Sequence, residues 1–257
     1  MSDALSLTGL QVAITGGAGD IGLGMARRLA ADGARIVLLD RVPLEQTSPD
    51  VRRLVTAGSL DYHEVDVRDP AGLHEALSTV EPLDVMIANA GTVRAAPFLE
   101  ITAEDWEEQI SSNLTGAFHT TQTAARLMVQ RGHSGHIILT SSWVQDVPWP
   151  EIASYAASKA GLRMLARSAA RELAAHRIRV NVIAPGIVAA GLAKRQLETE
   201  PQYAARVARV IPLDRFQTIE DVAGVVAFLC SSDADYLTGS VLLADGGCSL
   251  FQFDHDG

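Results

Sequence analysis

The chain has 257 residues, of which 47% are hydrophobic and 20% are charged, and its formal net charge at pH 7 is −10. This composition is typical of a globular protein and the length suffices for one sizeable core, so we predict a single domain over residues 1–257. The acidic balance disfavours a nucleic-acid groove and attachment to an anionic membrane surface, because both need a basic surface.

The sequence also argues against metals, disulfides and membrane spans. Cys230 and Cys248 are too few and too far apart for a disulfide framework or a zinc cluster, and the histidines have no metal-ligand spacing. Residues 1–8 lack the basic leader and apolar run of a secretory signal. The longest apolar run, residues 225–230, is too short to span a bilayer. We therefore expect a soluble, cytoplasmic protein without a metal.

The first elements along the chain are a strand, a glycine-rich loop and a helix. An apolar run at residues 11–14 is followed by the loop 15–22, and residues 23–31 have a helical pattern. Such a loop lets the backbone approach a pyrophosphate, while the helix offers free N–H groups and its positive dipole end. The spacing Gly17-x-Gly19-x-x-Gly22 fits the dinucleotide-binding fingerprint, although a simple glycine-rich turn is the alternative.

The second predicted strand, residues 35–39, ends at Asp40. An acidic side chain about twenty residues past the loop can bind the ribose hydroxyls of NAD, and it would repel the 2′-phosphate of NADP. Arg41, directly after it, can instead reach the adenine or a phosphate. Because the loop 15–22 contains no lysine or arginine, we predict NAD as the cofactor. The alternative for Asp40 is a solvated strand end.

Strand-like runs and helices alternate along the whole chain. This alternation predicts a doubly wound parallel seven-stranded sheet, a Rossmann fold with three α/β/α layers, and a cofactor at the carboxyl ends of its strands. Between two of the strands, Thr102 opens a predicted long helix that runs past Asn113 towards Arg131. The seven strand-like runs are residues 11–14, 35–39, 61–65, 84–88, 136–140, 178–184 and 239–247.

Residues 142–159 contain side chains whose spacing suits proton transfer. Tyr155 and Lys159 are four residues apart in a predicted helix, residues 154–174, and would therefore lie on one face. A cation beside a phenol favours the phenolate, so we expect Lys159 to lower the pKa of Tyr155. Ser142, just after the strand-like run 136–140, can hold a substrate oxygen. The Tyr155–Lys159 spacing alone is also compatible with an ordinary amphipathic helix.

The order and spacing of Ser142, Tyr155 and Lys159 resemble the short-chain dehydrogenase/reductase family, and the resemblance covers essentially the whole chain. It implies hydride transfer between a nicotinamide and a carbinol or carbonyl carbon, with Tyr155 as the acid/base. Lys159 would bond the nicotinamide ribose, Ser142 would bond the substrate oxygen, and Asn113 would hold a water that links Lys159 to solvent. Polar Asn113 has the alternative of an exposed or internally bonded side chain.

The resemblance also implies a set of cofactor contacts. Asp66 and Val67 would hold the adenine ring, the triplet Asn89-Ala90-Gly91 would lie against the cofactor, and the turn at Pro185 would meet the carboxamide. The full set of predicted cofactor-binding residues is Gly16, Gly19, Asp20, Ile21, Asp40, Arg41, Asp66, Val67, Asn89, Ala90, Gly91, Tyr155, Lys159, Pro185, Gly186 and Val188.

Two positions depart from the family's pattern. Asp20 stands where the middle glycine of the loop is expected, and we expect it to cap the following helix and point away from the phosphates, with the backbone of Ile21 making the contact. The threonine usual after the Pro185-Gly186 turn is replaced within residues 187–191. We expect backbone bonds from Val188 to orient the nicotinamide less firmly.

The substrate side of the site is less determined by sequence. The charged helical segment at about residues 190–212 resembles the family's substrate lid, and its arginines would pair with an acidic substrate or form a solvated face. Trp143 and Trp149 would line a substrate pocket, or belong to the core or a subunit contact. The aromatic tail at residues 251–253 suggests docking on a neighbouring subunit, and the family implies a homotetramer, with a homodimer as the alternative.

We therefore predict an NAD-dependent enzyme that acts on a secondary alcohol or the corresponding ketone, the substrate being a polyol, a sugar or a cyclic alcohol. One alternative is a ketone reductase that uses NADPH or NADH. Another is a regulatory protein that senses NAD without turnover, but such a protein has no chemical need for Asn113, Ser142, Tyr155 and Lys159 together.

Overall fold

The computed structural model describes residues 6–250. Its centre is a seven-stranded sheet with the strand order β3-β2-β1-β4-β5-β6-β7, in which every neighbouring pair is parallel. The predicted fold class, a Rossmann fold with helices on both faces of the sheet, is confirmed. The strands are Gln11–Thr15 (β1), Arg35–Asp40 (β2), Asp61–Glu64 (β3), Val85–Ala88 (β4), Gly135–Thr140 (β5), Ile178–Pro185 (β6) and Val241–Ala244 (β7).

The helices connect these strands, and their starts follow the chemistry of the sequence. Asp69 accepts the N–H of Ala71 before a helix that opens with Pro70, and Thr218 and Asp221 form a reciprocal capping box. The α-helices are Asp20–Ala31 (α1), Pro49–Thr56 (α2), Pro70–Ser78 (α3), Ala103–Ile110 (α4), Gly116–Gln130 (α5), Ala153–Leu173 (α6), Gly191–Thr199 (α7), Pro201–Val210 (α8) and Ile219–Cys230 (α9).

Successive residues of the strands pack into separate cores on the two faces of the sheet. In β1, Val12 and Ile14 face α1 and α9, whereas Ala13 faces the layer that contains α3, α5 and α6. Burial on both faces explains why the inner strands β1, β2, β4 and β5 are largely apolar runs without alternation. A third apolar cluster joins the segment after β5 to the helices α7 and α8.

The strand register brings the chemically important segments to one edge. Ile87 lies opposite Ile138, and Thr140 lies opposite Ile183, so β4, β5 and β6 end next to one another. The order of the strands changes direction between β1 and β4, and ligands of open parallel sheets bind in the crevice at such a point.

One predicted element differs from the observed one. The long helix expected across Asn113 is interrupted, because residues Ser111–Thr115 form a π-helical segment between α4 and α5. A π segment accommodates one extra residue per turn and is frequent at functional sites. Here the Asn113 side chain bonds Thr92 and Ser158, which lie on other elements. Contacts that are distant in sequence therefore decide the local geometry.

The predicted lid segment consists of two short helices, α7 and α8, that separate at Glu200. Within residues 6–250, no helix is both long and apolar enough to cross a membrane. The aromatic tail predicted to dock on a neighbouring subunit, residues 251–253, lies outside the described part of the chain.

Candidate active site

The fold brings the three predicted catalytic side chains together. Tyr155 and Lys159 lie on one face of α6, with the Lys159 ammonium 5.4 Å from the centroid of the Tyr155 ring. Lys159 is only 3% exposed, and its Nζ donates a hydrogen bond of 2.8 Å to the carbonyl of Thr140 at the end of β5. Ser142 follows two residues later. The end of β5 and the first turns of α6 therefore form one polar centre.

Burial controls the acidity of this centre. The pKa of the Tyr155 phenol is raised because burial disfavours the phenolate, and its hydrogen bond with Ser142 lowers the pKa by less. The expectation that Lys159 would bring about a net lowering is wrong for these residues by themselves. The ammonium faces the ring rather than the hydroxyl, and burial lowers the pKa of Lys159 to about 8.

Backbone contacts fix the position of Ser142. The N–H of Ser141 donates to the carbonyl of Ile183 at 2.7 Å, and the Ser141 hydroxyl donates to the carbonyl of Lys159 at 3.2 Å. Ser141 therefore ties the end of β5 to both β6 and α6. The next residue, Ser142, is in extended conformation and opens a short 3-10 turn at Trp143.

Asn113 is placed differently from the other predicted residues. Its side chain is fully buried, accepts the Thr92 N–H at 2.7 Å, and donates to the Thr92 carbonyl and the Ser158 hydroxyl. A Cβ at Gly91 would lie 3.0 Å from Asn113 Oδ1 and 3.7 Å from Lys159 Nζ, so both groups lie beside the space that this glycine leaves open. The Asn113 side chain is therefore internally bonded, which was one of the alternatives considered for this residue.

At the other end of the site, the glycine loop joins β1 to α1. A Cβ on Gly19 would meet only the Gly16 carbonyl, at 3.5 Å, so this backbone faces open space. Gly16 has a positive φ of 64°, and a Cβ there would lie 2.8 Å from the Ala90 backbone. The loop is thus packed on the β4 side and open towards the cavity beside α1.

The expectation that Asp20 caps α1 is wrong. Gly19 occupies the capping position without a side-chain bond, and Asp20 is the first helical residue. Its carboxylate accepts the backbone N–H of Gly191 at 3.0 Å. Asp20 therefore connects the glycine loop to the first residue of α7, a contact between positions 171 residues apart that no local pattern indicates.

Asp40 ends β2 at the rim of the same cavity. Its carboxylate accepts the N–H of Ala18 at 3.0 Å and the N–H of Val42 at 3.1 Å. These bonds fix the carboxylate against the glycine loop, so Asp40 is more than a solvated strand end. Arg41 also lines the cavity and is exposed.

Asp66 and Val67 follow β3. Asp66 forms an ion pair of 2.5 Å with Arg68, and this hydrogen bond is the main reason why the pKa of Asp66 is lowered. Val67 is buried against Gly116 at the start of α5. Arg68 was not singled out from the sequence, although its position two residues after Asp66 is the signal for such a pair.

Thr15 and Gln217 hold two of the predicted cofactor segments, and the sequence did not single them out. The Thr15 hydroxyl accepts the N–H groups of Asn89 and Ala90 at 3.0 and 3.2 Å. Gly186 donates its N–H to Gln217 Oε1 at 2.8 Å and to the Ala244 carbonyl at 3.0 Å. Both are polar residues whose partners lie on other elements.

These residues line one cavity of about 560 Å³ at the carboxyl ends of the strands. All predicted cofactor-binding and catalytic residues border it except Asn113, which lies behind Gly91. Val188 borders it as well, and its carbonyl accepts the Ala190 N–H at 2.7 Å. Within the described residues, no group of histidine, cysteine and carboxylate side chains is arranged to hold a metal.

The far end of the cavity is aromatic. Trp143 and Trp149 are buried and pack edge to face with ring centroids 5.3 Å apart. The lid helices contribute Gln196, Tyr203 and Arg206 to the same wall. The two tryptophans therefore belong both to the pocket wall and to the third apolar cluster. The individual lid residues could not be selected from sequence because solvated and pocket-facing helix positions look alike.

Comparisons with known proteins agree with this architecture. A family model described as enoyl-(acyl carrier protein) reductase matches residues 16–249. Carbonyl reductase (NADPH) 2 of Sus scrofa is 32% identical over 248 residues, covering 95% of this chain and 98% of that protein. The 3-oxoacyl-(acyl-carrier-protein) reductase MabA of Mycobacterium tuberculosis is 38% identical over 243 residues, covering 93% of this chain and 92% of that protein.

Among solved structures, a gluconate 5-dehydrogenase from Burkholderia cenocepacia in complex with NADP and tartrate superposes with a TM-score of 0.89 at 32% identity, covering 97% of this chain and 99% of that one. The class of protein is therefore that of Rossmann-fold oxidoreductases. The chain belongs to the short-chain dehydrogenase/reductase family.

Proposed function

We propose that the protein is an NAD-dependent dehydrogenase that oxidises a secondary alcohol to a ketone, or catalyses the reverse reaction. The observation that carries the proposal is the meeting of Ser142, Tyr155 and Lys159 in one cavity that continues to Asp40. Such a cavity has the extent that a dinucleotide and a small substrate need, with proton chemistry at one end and a ribose acceptor at the other.

The residues around the cavity fit the cofactor. The open backbone at Gly19 and the start of α1 suit a pyrophosphate, and Asp40 suits the adenosine ribose hydroxyls. Asp66, Val67 and Asn89 to Gly91 would border the adenosine half, while Pro185, Gly186 and Val188 would border the nicotinamide half. When bound, the nicotinamide supplies hydride acceptance from the carbinol carbon.

The chain's own residues would handle the proton. Tyr155 would take the proton of the substrate hydroxyl as the hydride leaves, and would return one in the reductive direction. Ser142, already bonded to the phenol, would hold the substrate oxygen. Because burial raises the pKa of Tyr155, the neutral phenol prevails until a further positive charge favours the phenolate.

Lys159 and Asn113 would support this proton transfer. The buried Lys159 ammonium, anchored on the Thr140 carbonyl, has donors left for the nicotinamide ribose. Asn113 would hold the π segment close to Lys159, where a water can connect the ammonium to solvent. Its side chain bonds Thr92 and Ser158, so its direct contribution is to place the surrounding backbone.

Cofactor choice rests on Asp40. The relatives include a carbonyl reductase named for NADPH and a gluconate 5-dehydrogenase bound to NADP, so the family membership alone does not imply NAD. In this chain, however, the Asp40 carboxylate is bonded to the glycine loop, and it would repel a 2′-phosphate on a dinucleotide bound there. This favours NAD, with a ketone reductase that uses NADPH or NADH as the second candidate.

We also propose a cytoplasmic homotetramer or homodimer. Trp106, Phe118 and Met164 on α4, α5 and α6 are large apolar side chains with 42%, 40% and 58% exposure in the single chain. Covering such a face with a second copy removes apolar area from water. Sedimentation velocity at micromolar concentration would give the mass; a monomer would contradict this part of the proposal.

The proposed activity is tested by NADH formation with secondary alcohols, polyols, sugars and cyclic alcohols, with NADP as the competing cofactor. We expect turnover with NAD to exceed turnover with NADP. Tight NAD binding without turnover of any alcohol, and without reduction of the corresponding ketones, would favour the NAD-sensing regulatory protein instead.

A further inference from the structure

Arg206 on α8 lies at the aromatic end of the cavity in an unusual environment. Its guanidinium carbon is 5.0 Å from the centroid of the Trp149 ring and 5.7 Å from that of Tyr203, and the residue borders the cavity. Both rings interact with the cation through their π faces. Such contacts supply no hydrogen-bond acceptor, so they leave the guanidinium N–H groups available as donors.

Arg206 also lacks the carboxylate partner that Arg163 and Arg215 possess. Arg163 pairs with Asp146 and Arg215 pairs with Asp221, but within residues 6–250 no carboxylate forms an ion pair with Arg206. Its Nε is buried and has no hydrogen-bond acceptor among those residues. A buried donor without an acceptor costs free energy, so an anion that accepts from it would gain more than one bound at the surface.

The position relative to the chemistry is equally specific. Trp149 and Tyr203, whose rings contact the Arg206 guanidinium, belong to the same apolar cluster as Trp143 and Tyr155. A group bound by Arg206 therefore lies in the compartment that Tyr155 enters. Glu151 also borders the cavity, and it is exposed.

We propose that Arg206 is a specificity-determining residue that binds a carboxylate of the substrate, which makes the substrate a hydroxy acid rather than a neutral alcohol. This inference rests on the proposed dehydrogenase activity and adds the substrate class to it. A guanidinium presents its donors as a fork that matches a carboxylate with two parallel hydrogen bonds. The carboxylate would anchor the molecule on the lid while its secondary hydroxyl faces Ser142 and Tyr155.

The test compares each sugar acid with the polyol that differs only at the carboxylate, for example gluconate with glucitol and galactonate with galactitol. We expect the wild type to oxidise at least one acid with a kcat/KM at least about tenfold above its polyol. Arg206→Gln should lower kcat/KM for the acid about 10- to 100-fold, mainly through KM, and leave the polyol within about threefold. Arg206→Lys should recover part of the loss.

Arg209→Gln is the matched control, because it removes the same charge from an exposed position of the same helix. It should leave the preference for acids unchanged. Equal use of acids and polyols by the wild type, or equal effects of the Arg206 and Arg209 substitutions, would overturn the inference and leave the dehydrogenase proposal intact. A preference for phosphorylated alcohols over all acids would overturn the carboxylate assignment.

A binding measurement keeps the inference testable without turnover. In the Tyr155→Phe variant saturated with NAD, isothermal titration with gluconate and galactonate should give a dissociation constant that rises at least about tenfold on adding Arg206→Gln. The addition of Arg209→Gln should not change it. Absence of any difference between the two arginine substitutions in this measurement would contradict the anion site independently of catalysis.

Discussion

Tyr155 and Lys159 show how burial shifts the charge state of two neighbouring side chains. The phenol has a raised pKa, and the ammonium has a pKa lowered to about 8, because each is removed from water. Both shifts favour the neutral form. The pair is therefore sensitive to any additional charge in the cavity, and its acid/base role depends on what the cavity binds.

Asp40 is the residue at which cofactor choice is decided. Asp40→Asn removes the charge and leaves one side-chain oxygen, so one of the two bonds is lost, because Ala18 and Val42 donate to different carboxylate oxygens. We expect the ratio of kcat/KM for NAD to that for NADP to fall at least about tenfold, since repulsion of the 2′-phosphate is lost. Steady-state kinetics with both cofactors measure this ratio.

Glu64→Gln is the control for this experiment. Glu64 is exposed on β3 directly beside Asp40 in the sheet, so the substitution removes the same charge from a neighbouring position. An identical fall in both variants would show that overall potential, rather than the Asp40 carboxylate, sets the preference. An unchanged ratio in Asp40→Asn would contradict the assignment.

Among the elements, α7 depends on a residue of α1. Asp20→Ala removes the acceptor for the Gly191 N–H, and a hydrogen bond to a charged group contributes about 1.5–3 kcal/mol. We expect amide hydrogen exchange in residues 191–199 to become about tenfold faster or more, with the strands unaffected. Exchange followed by mass spectrometry measures it.

Asp32→Ala at the opposite end of α1 is the comparison, because the Asp32 carboxylate pairs with Arg28 four residues earlier on the same helix. It should leave exchange in residues 191–199 unchanged. If Asp20→Ala also left this exchange unchanged, the hydrogen bond between Asp20 and Gly191 would not stabilise α7.

The elements also show what sequence can and cannot predict. The inner strands were predictable because both faces of the sheet are covered there, which makes runs such as residues 85–88 apolar throughout. The helix start at Thr102 was recognisable because capping is local. Asp20 and Asn113 were placed wrongly in part, since their partners lie 171, 21 and 45 residues away and outcompete the local preference.

In the candidate site, too, features set by the fold class were predictable, whereas features set by distant contacts were not. The ends of strands in a parallel sheet meet at one edge, so Asp40, Asn89 and Ser142 were expected to lie near one another once the fold was known. Thr15 and Gln217 escaped attention because their roles arise from partners on other elements, and for the same reason Arg206 could not be distinguished from the other arginines of the lid segment. The assigned roles of the site residues are still proposals, whereas the family and the fold are established.

At the scale of the whole molecule, stability is linked to pH through the buried His136. Its Nε2 accepts a hydrogen bond of 2.9 Å from the Asn181 amide, and burial lowers the pKa of His136 to about 3. Between about pH 6.5 and 3 the unfolded chain binds a proton that the folded chain does not. The stability therefore falls as the pH decreases through this window and is not lost at neutral pH.

The expected contribution of His136 to the loss of unfolding free energy between pH 7 and pH 5 is about 2 kcal/mol. In His136→Gln this loss should be smaller by that amount, as measured by urea unfolding at the two pH values. The same substitution at exposed His176 should have no such effect. An unchanged pH dependence in His136→Gln would mean that His136 is protonated in the folded chain.

The most direct test of the account is the effect of Tyr155→Phe on NADH formation from the best secondary alcohol or hydroxy acid, with Tyr236→Phe at a fully exposed position as the control. The account predicts at least about a hundredfold loss of turnover with NAD binding largely retained, because only the proton acceptor is removed. Near-normal turnover in Tyr155→Phe would contradict the central claim that this phenol is the acid/base of the reaction.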